Sequence, residues 1–337
     1  MGRRRLLLLP LLAAAIAAAP ASAQLPTPTT PAPPPTPKPK PKPKPKGGKM
    51  SIKIYGGQAT KRYRYVTRGQ RVKVVGTVKP FVRGQVASVI VLRKGKVQTR
   101  KRARIRGIGK GRGRFVVRFV AGRRGTLRIV ARHKATPSQA TFRARSKRAK
   151  VVLWSAGQGR SGLRVLLLQR GLRSLGYAVN VNGVYNDATS RAVLAFHKAN
   201  GMARTGHAGT DVYGKVFRGR GRVTLRFPRA GRHVEFDWSR QILILADKGR
   251  AFRVFHASSG KPSTPTVFGT YHFYSKTPGT NSEGMVNSSY FIRGYAIHGY
   301  ASVPPYAASH GCIRVPIPNS AYIYGWIPLG MTIFVYR

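Results

Sequence analysis

The sequence predicts a multi-domain, mainly β protein in which a small three-helix bundle separates two β-rich domains. Three observations carry that prediction. Short runs alternating apolar and polar residues, divided by glycine-containing turns, fill residues 50–148 and return after about residue 223. This is the period-two pattern of half-buried strands. Between them, Val165, Leu168, Leu172 and Leu175 recur at spacings of three, four and three, which lays one apolar stripe along a helix. Upstream of all three segments lies a proline- and lysine-rich stretch with nothing apolar to bury.

The first residues read as an export signal. Arg3-Arg4-Arg5 form a positive region, Leu6 to Ala19 an apolar run, and Ala21-Ser22-Ala23 an A-x-A-like cleavage site before Gln24. The apolar run falls short of the roughly 20 residues that span a bilayer. Residues 1–23 are therefore expected to be a signal peptide, with an uncleaved anchor as the alternative, and the mature chain to carry no transmembrane segment. Residues 24–49 are expected to be a linker. Pro28 through Pro45 alternate proline with Thr, Ala and then Lys, which favours an extended polyproline II spacer at about 3.1 Å per residue.

Residues 50–148 follow as a small antiparallel sandwich. Val72, Val74, Gly76 and Val78 alternate with Arg71, Lys73 and Thr77; Val86 to Leu92 form a second run; Phe115, Val117 and Phe119 a third; Leu127, Ile129 and Ala131 a fourth. The order of a Gly76-Thr77-Val78-x-Pro80 strand and then Gly84-Gln85 resembles bacterial immunoglobulin-like modules of surface proteins. No catalytic constellation occurs here, so an Ig-like β-sandwich used for spacing or adhesion is expected.

In residues 157–217 the apolar stripe stops at Gly176, Asn182-Gly183 marks a turn, and Asn186 or Asp187 can cap a second helix carrying Ala192, Val193 and Phe196. A third short helix is expected around Val212 to Phe217. Taken with Gly162, Gln169, Tyr177, Val184-Tyr185, Thr189 and Thr205-Gly206, this pattern resembles the peptidoglycan-binding three-helix module. Where members of that family usually carry acidic residues in the turn, this chain has Asn182.

From residue 223 to 337 the β pattern returns, with Gln241 to Leu245 and Phe252 to Phe255 flanking an Asp247-Lys248-Gly249 turn. This segment holds the only cysteine of the 337 residues, Cys312, within Ser309-His310-Gly311-Cys312-Ile313-Arg314, downstream of His298-Gly299. A free thiol has a pKa near 8.5 and is mostly protonated at neutral pH. A neighbouring imidazole can take that proton, so a cysteine and a histidine make a nucleophile–base pair. A second ring nitrogen needs an orienting acceptor; no carboxylate lies close in sequence, which leaves a backbone carbonyl such as that of Gly299. Gly311 permits a tight turn that aims the N–H groups of Gly311 and Cys312 at an oxyanion. Ser309 and His310 are expected to buttress the loop, and Arg314 to grip a carboxylate. A zinc site from His298, His310 and Cys312 lacks a fourth ligand, and the chemistry calls for no cofactor.

The Ser-His-Gly-Cys-Ile-Arg run with its upstream His-Gly resembles the L,D-transpeptidase catalytic domain (the YkuD-type fold), over roughly the last third of the chain. The resemblance implies Cys312 as nucleophile, His298 as base, and peptidoglycan stem peptides as substrate; Tyr290 is expected to line the pocket. Two departures stand out. Cys312 follows His298 by only fourteen positions, fewer than in many members and including Pro304-Pro305, and Thr264-Pro265-Thr266-Val267-Phe268-Gly269 carries extra bulk before its glycine. A papain-like order would place cysteine before histidine, and sortase-like enzymes usually space the two more widely. A silent wall-binding scaffold and an L,D-carboxypeptidase using water as acceptor are the remaining alternatives.

Charge bears on partners. Lys and Arg number 63 against 6 Asp and Glu, a formal +57, and no acidic residue precedes Asp187. Such a surface attracts polyanions. Export, and basic residues spread along strands without aromatic interleaving, argue against nucleic acid. The anionic polymers of a bacterial cell envelope offer the same electrostatic target outside the cytoplasm, and an extracytoplasmic, wall-associated protein is expected.

Overall fold

In the computed structural model, residues 44–337 are described; the expected signal peptide at 1–23 and the linker as far as residue 43 lie outside them. The linker reading to residue 49 overlaps folded chain. Lys46 bridges to Gln139, and Lys49 opens the first strand. Among the described residues no helix is long and apolar enough to cross a membrane.

The N-terminal sandwich faces two sheets. One orders Lys49–Tyr55, Arg71–Lys79, Gly113–Val120 and Arg106–Gly107; the other orders Gln58–Ala59, Arg64–Thr67, Lys147–Val152, Gly125–His133, Val86–Arg93 and Lys96–Arg104. The alternating residues of the sequence meet between them: Val72, Val74, Phe115, Val117 and Phe119 pack on Ala87, Val89, Val91, Leu127, Ile129 and Ala131. The pairing is antiparallel except that Arg64–Thr67 runs parallel to Lys147–Val152, so the sandwich is mixed and its last strand reaches beyond residue 148.

Helix α1 (Leu163–Ser174) buries Val165, Leu168 and Leu172 completely, with Leu175 2% exposed just beyond its end. It closes in a Schellman motif: Gly176, at φ 99°, donates its N–H to Arg173 O and Tyr177 to Leu172 O, both at 3.1 Å. Helix α2 (Asp187–Ala199) is capped by Asn186, whose side chain accepts from the Thr189 N–H at 3.2 Å. Helix α3 (Thr210–Phe217) completes the bundle. The turn between α1 and α2 is built on buried Gln169, which accepts from the N–H groups of Asn182 and Gly183 and donates to Asn182 Oδ1. Asn182 therefore serves as a turn residue here.

The bundle shares one apolar core with both neighbours. Its stripe packs against Tyr65, Val152 and Trp154 on the sandwich side and Ile242, Ile244, Ala246 and Val254 on the other. Gln70 and Gly57 of the sandwich both donate to Phe217 O, at 2.9 and 3.0 Å.

The C-terminal domain has two sheets. The first orders Arg250–His256, Ile242–Asp247, His233–Asp237, Thr332–Tyr336 and Gly269–His272; the second orders Ser275–Thr280, Val286–Ile292, Tyr295–Tyr300 and Ile313–Pro316. The hairpin between Ile242–Asp247 and Arg250–His256 turns on Lys248-Gly249, both at positive φ (49° and 69°), the type I′ geometry that matches strand twist. Helix α4 (Ile317–Trp326) lies on the second sheet. Phe236, Leu243, Leu245, Phe273, Phe291, Ile297, Ile313 and Val315 form the core of this domain.

Candidate active site

The second sheet places the sequence-derived residues. Tyr295–Tyr300 runs parallel to Ile313–Pro316, with Ile297 opposite Ile313 and His298 opposite Arg314. Residues two apart on a strand share a face, so His298 and Tyr300 face the same way, as do Cys312 and Arg314 beside them. The Cys312 Sγ accepts from the Ala296 N–H at 3.4 Å and lies 3.6 Å from Gly294 O. Tyr290 sits opposite Ala296 on the adjoining strand, bordering the same face. The lone thiol is thus held just before the last strand of this sheet, diagonally across from the imidazole.

His298 is 2% exposed, and its Nδ1 donates to Gly299 O at 2.9 Å. That bond fixes the ring proton on Nδ1 and leaves Nε2 with a lone pair. Burial pushes the His298 pKa below the ordinary imidazole value; Arg314 pushes the same way, while the Gly299 carbonyl and Glu283 oppose it. Burial pushes the Cys312 thiol up, partly offset by the Ala296 N–H. Both shifts favour the neutral forms, so the resting pair is thiol and imidazole rather than thiolate and imidazolium.

The Ser309–Cys312 turn differs in two ways from the sequence expectation. The Gly311 N–H was expected to face an oxyanion; it donates instead to Ser309 Oγ at 3.0 Å. Ser309 Oγ in turn donates to Cys312 O at 2.6 Å and is buried, so this serine closes the turn on itself. His310 was expected to buttress the loop alongside it. It is exposed on the outside of the turn that Ser309 closes. Gly311 is at φ 125°, and a Cβ there would come within 2.2 Å of the Tyr295 ring. Gly311→Ala is accordingly expected to displace Cys312 and to lower thiol acylation about 100-fold, the scale of a misplacement near 1 Å, read by stopped-flow acylation kinetics.

Gly299 is equally confined: a Cβ would lie 2.7 Å from Ser320 of α4. The Arg314 guanidinium stacks 4.0 Å from the Tyr300 ring centroid, and its buried Nε has no hydrogen-bond partner among the described residues. Tyr300 was missed in the sequence because aromatic residues are common in strands. Glu283 was missed because it lies in the Asn281–Gly284 turn, where Asn281 Oδ1 gathers the Glu283 and Met285 N–H groups; its charge nonetheless acts on both His298 and Cys312. Among the described residues no group of three metal-ligating side chains occurs.

The YkuD family, the L,D-transpeptidase catalytic domain, matches residues 231–335, and a peptidoglycan binding domain family matches residues 161–215. The chain is similar to the L,D-transpeptidase (residues 123–326) of Xylanimonas cellulosilytica, with 34% identity and TM-score 0.52 over 55% of this chain and 98% of that one. It also aligns with an L,D-transpeptidase of Stackebrandtia nassauensis at 21% identity and TM-score 0.35, over 54% of this chain and 95% of that one. A search of curated proteins returned no match.

Proposed function

Because the chain belongs to the L,D-transpeptidase family, we propose that it is an exported peptidoglycan L,D-transpeptidase that transfers a stem-peptide acyl group through a thioester on Cys312. The observation that supports this most is the diagonal placement of Cys312 and His298 on one face, with His298 Nδ1 held by Gly299 O at 2.9 Å.

The substrate amide is attacked by Cys312 Sγ as its proton passes to His298 Nε2. The carbonyl attacked joins the L-centre to the terminal D-residue of a donor tetrapeptide. The C–N bond breaks, the imidazolium returns the proton to the leaving amine, and a thioester remains. A side-chain amine of an acceptor stem then attacks that carbonyl and gives its proton to His298, the C–S bond breaks, and the imidazolium returns that proton to Sγ, restoring thiol and imidazole. With the Gly311 N–H engaged by Ser309, the Cys312 N–H is the turn's donor toward the oxyanion. The Arg314 guanidinium receives the free carboxylate of the donor. The peptidoglycan-binding module holds the polymer, and the basic sandwich favours an anionic envelope.

The reading is tested by incubating the protein with disaccharide-tetrapeptide and weighing the products. Cross-linked dimer with release of the terminal D-residue is expected. Tripeptide alone would favour water as acceptor, the L,D-carboxypeptidase activity, and no product at all would favour a silent scaffold.

The pH profile follows from the shifts at the pair. The reactive form carries one proton shared between thiol and imidazole, so kcat/KM falls only below His298's lowered pKa and above Cys312's raised one. A plateau from about pH 7 to 8.5 is expected, bounded by the ordinary values of the two groups. A rate climbing tenfold per pH unit across that range would mean that the thiolate reacts without a base.

A further inference from the structure

The helical module meets the catalytic domain through a buried lysine that the acyl-transfer chemistry does not use. Lys198, in the last turn of α2, is 3% exposed. Its Nζ donates to Gln241 O at 3.0 Å and Ala257 O at 2.8 Å, and lies 2.7 Å from His256 Nδ1. His256 Nε2 is 2.8 Å from the Val303 carbonyl. A carbonyl can only accept, so Nε2 carries the ring proton and Nδ1 offers its lone pair to the ammonium. All three ammonium protons have acceptors, and the chain of bonds has one direction, from α2 to residue 303.

Val303 belongs to the segment joining the His298 strand to Cys312. A second basic residue of the module reaches the same segment: Arg204, exposed, donates through Nη1 to Pro305 O at 2.7 Å and through Nη2 to Ser239 O at 3.0 Å. The catalytic domain adds Ser258 Oγ, which donates to Tyr306 O at 2.6 Å, and Ser259 O, which accepts from the N–H groups of Ala308 and Ser309. The reason for so many outside partners lies in Pro304-Pro305. Two prolines in succession supply no N–H and resist turning back on themselves, so this short connection needs donors from elsewhere. The module supplies one directly, Arg204, and through Lys198 orients a second, His256 of the catalytic domain.

Burial pushes the Lys198 pKa down, while the three acceptors around Nζ, Gln241 O, Ala257 O and His256 Nδ1, favour the ammonium. An apolar side chain of similar length would fill the same space without that penalty, but it could not hold His256 in the tautomer that binds Val303.

We propose that Lys198 and Arg204 are positioning residues for acyl transfer, fixing the His298–Cys312 connection in the shape that admits a donor stem peptide. The helical module is then a working part of the catalytic unit as well as a polymer anchor. This rests on the transpeptidase reading above.

The test uses the full-length protein and the variants Lys198→Met, Arg204→Ala and Arg204→Lys. Two rates are measured at Cys312: acylation by disaccharide-tetrapeptide, and alkylation by iodoacetamide, which is too small to depend on the shape of the connection. Lys198→Met and Arg204→Ala are each expected to lose tenfold or more in kcat/KM for the tetrapeptide, mainly through KM, with alkylation within twofold of wild type. Arg204→Lys, which keeps one donor for Pro305, is expected to recover part of the loss. Wild-type acylation rates in both variants, or parallel loss of acylation and alkylation, would overturn the positioning role. If Lys198→Met does not fold, Arg204→Ala, altered only at the surface, decides the matter. A wild type that takes no acyl group would overturn the transpeptidase reading itself, a result separable from either of these.

Discussion

Cys312→Ala is expected to lower cross-link formation by about 10⁴-fold or more, the scale on which removal of a covalent nucleophile acts. No other residue can take its place, since this is the only thiol in the chain. The fold should survive the change. The thiol's partners, the Ala296 N–H at 3.4 Å and Gly294 O at 3.6 Å, make weak contacts with sulfur. A loss of about 1 kcal/mol would move the melting temperature by only about 3 °C. Calorimetry on the variant together with product analysis separates lost chemistry from lost structure. A variant that still forms dimer at more than about one hundredth of the wild-type rate would remove Cys312 from the mechanism.

His298→Gln is expected to reduce acylation by about 10² to 10⁴, the usual worth of a positioned general base. Its effect on the pH profile is more telling. Without a base, only preformed thiolate reacts, and burial has raised the Cys312 pKa above its ordinary value. The variant's rate should therefore climb about tenfold per pH unit where wild type is flat, continuing until the raised thiol pKa is passed. Rate measurements between pH 6 and 10 on both proteins check this. Parallel profiles would mean that His298 positions the turn without moving a proton.

What the sequence made legible was local. The helical stripe from Val165 to Leu175, the stop at Gly176 and the cap at Asn186 each depend on neighbours within a few residues, and their patterns are visible in the chain itself. The hexapeptide around Cys312 is legible for the same reason, because a tight turn and a nucleophile must be adjacent. Strand Lys96–Arg104 was hidden. It is an edge strand with almost every side chain exposed and five basic residues, so it lacks the alternation that marks a half-buried strand. Helix α4 was hidden too: Pro318 stands near its start and Tyr322, Ile323, Tyr324 and Trp326 follow without a polar face.

The site was legible in its chemistry and not in its supports. The Gly299 carbonyl could be reasoned out because only a backbone acceptor was near. The direction of the Gly311 N–H could not, since it depends on whether Ser309 turns inward. Contacts from distant parts of the chain left no local trace: Glu283 on its turn, Ser320 of α4 against Gly299, and the reach of Lys198 and Arg204 to the connection at 303–305. The short, proline-containing connection that stood out as a departure from related sequences is the segment that Arg204 holds directly and Lys198 through His256.

The central claim, a thioester on Cys312, is tested most directly by intact-protein mass spectrometry of wild-type protein quenched in acid during turnover with disaccharide-tetrapeptide, followed by peptide mapping. The account predicts an added mass equal to the donor minus its terminal D-residue, located on the peptide containing Cys312 and discharged when acceptor stem is added. Cross-linked product forming while that peptide stays unmodified, or an acyl group found on any other residue, would contradict it.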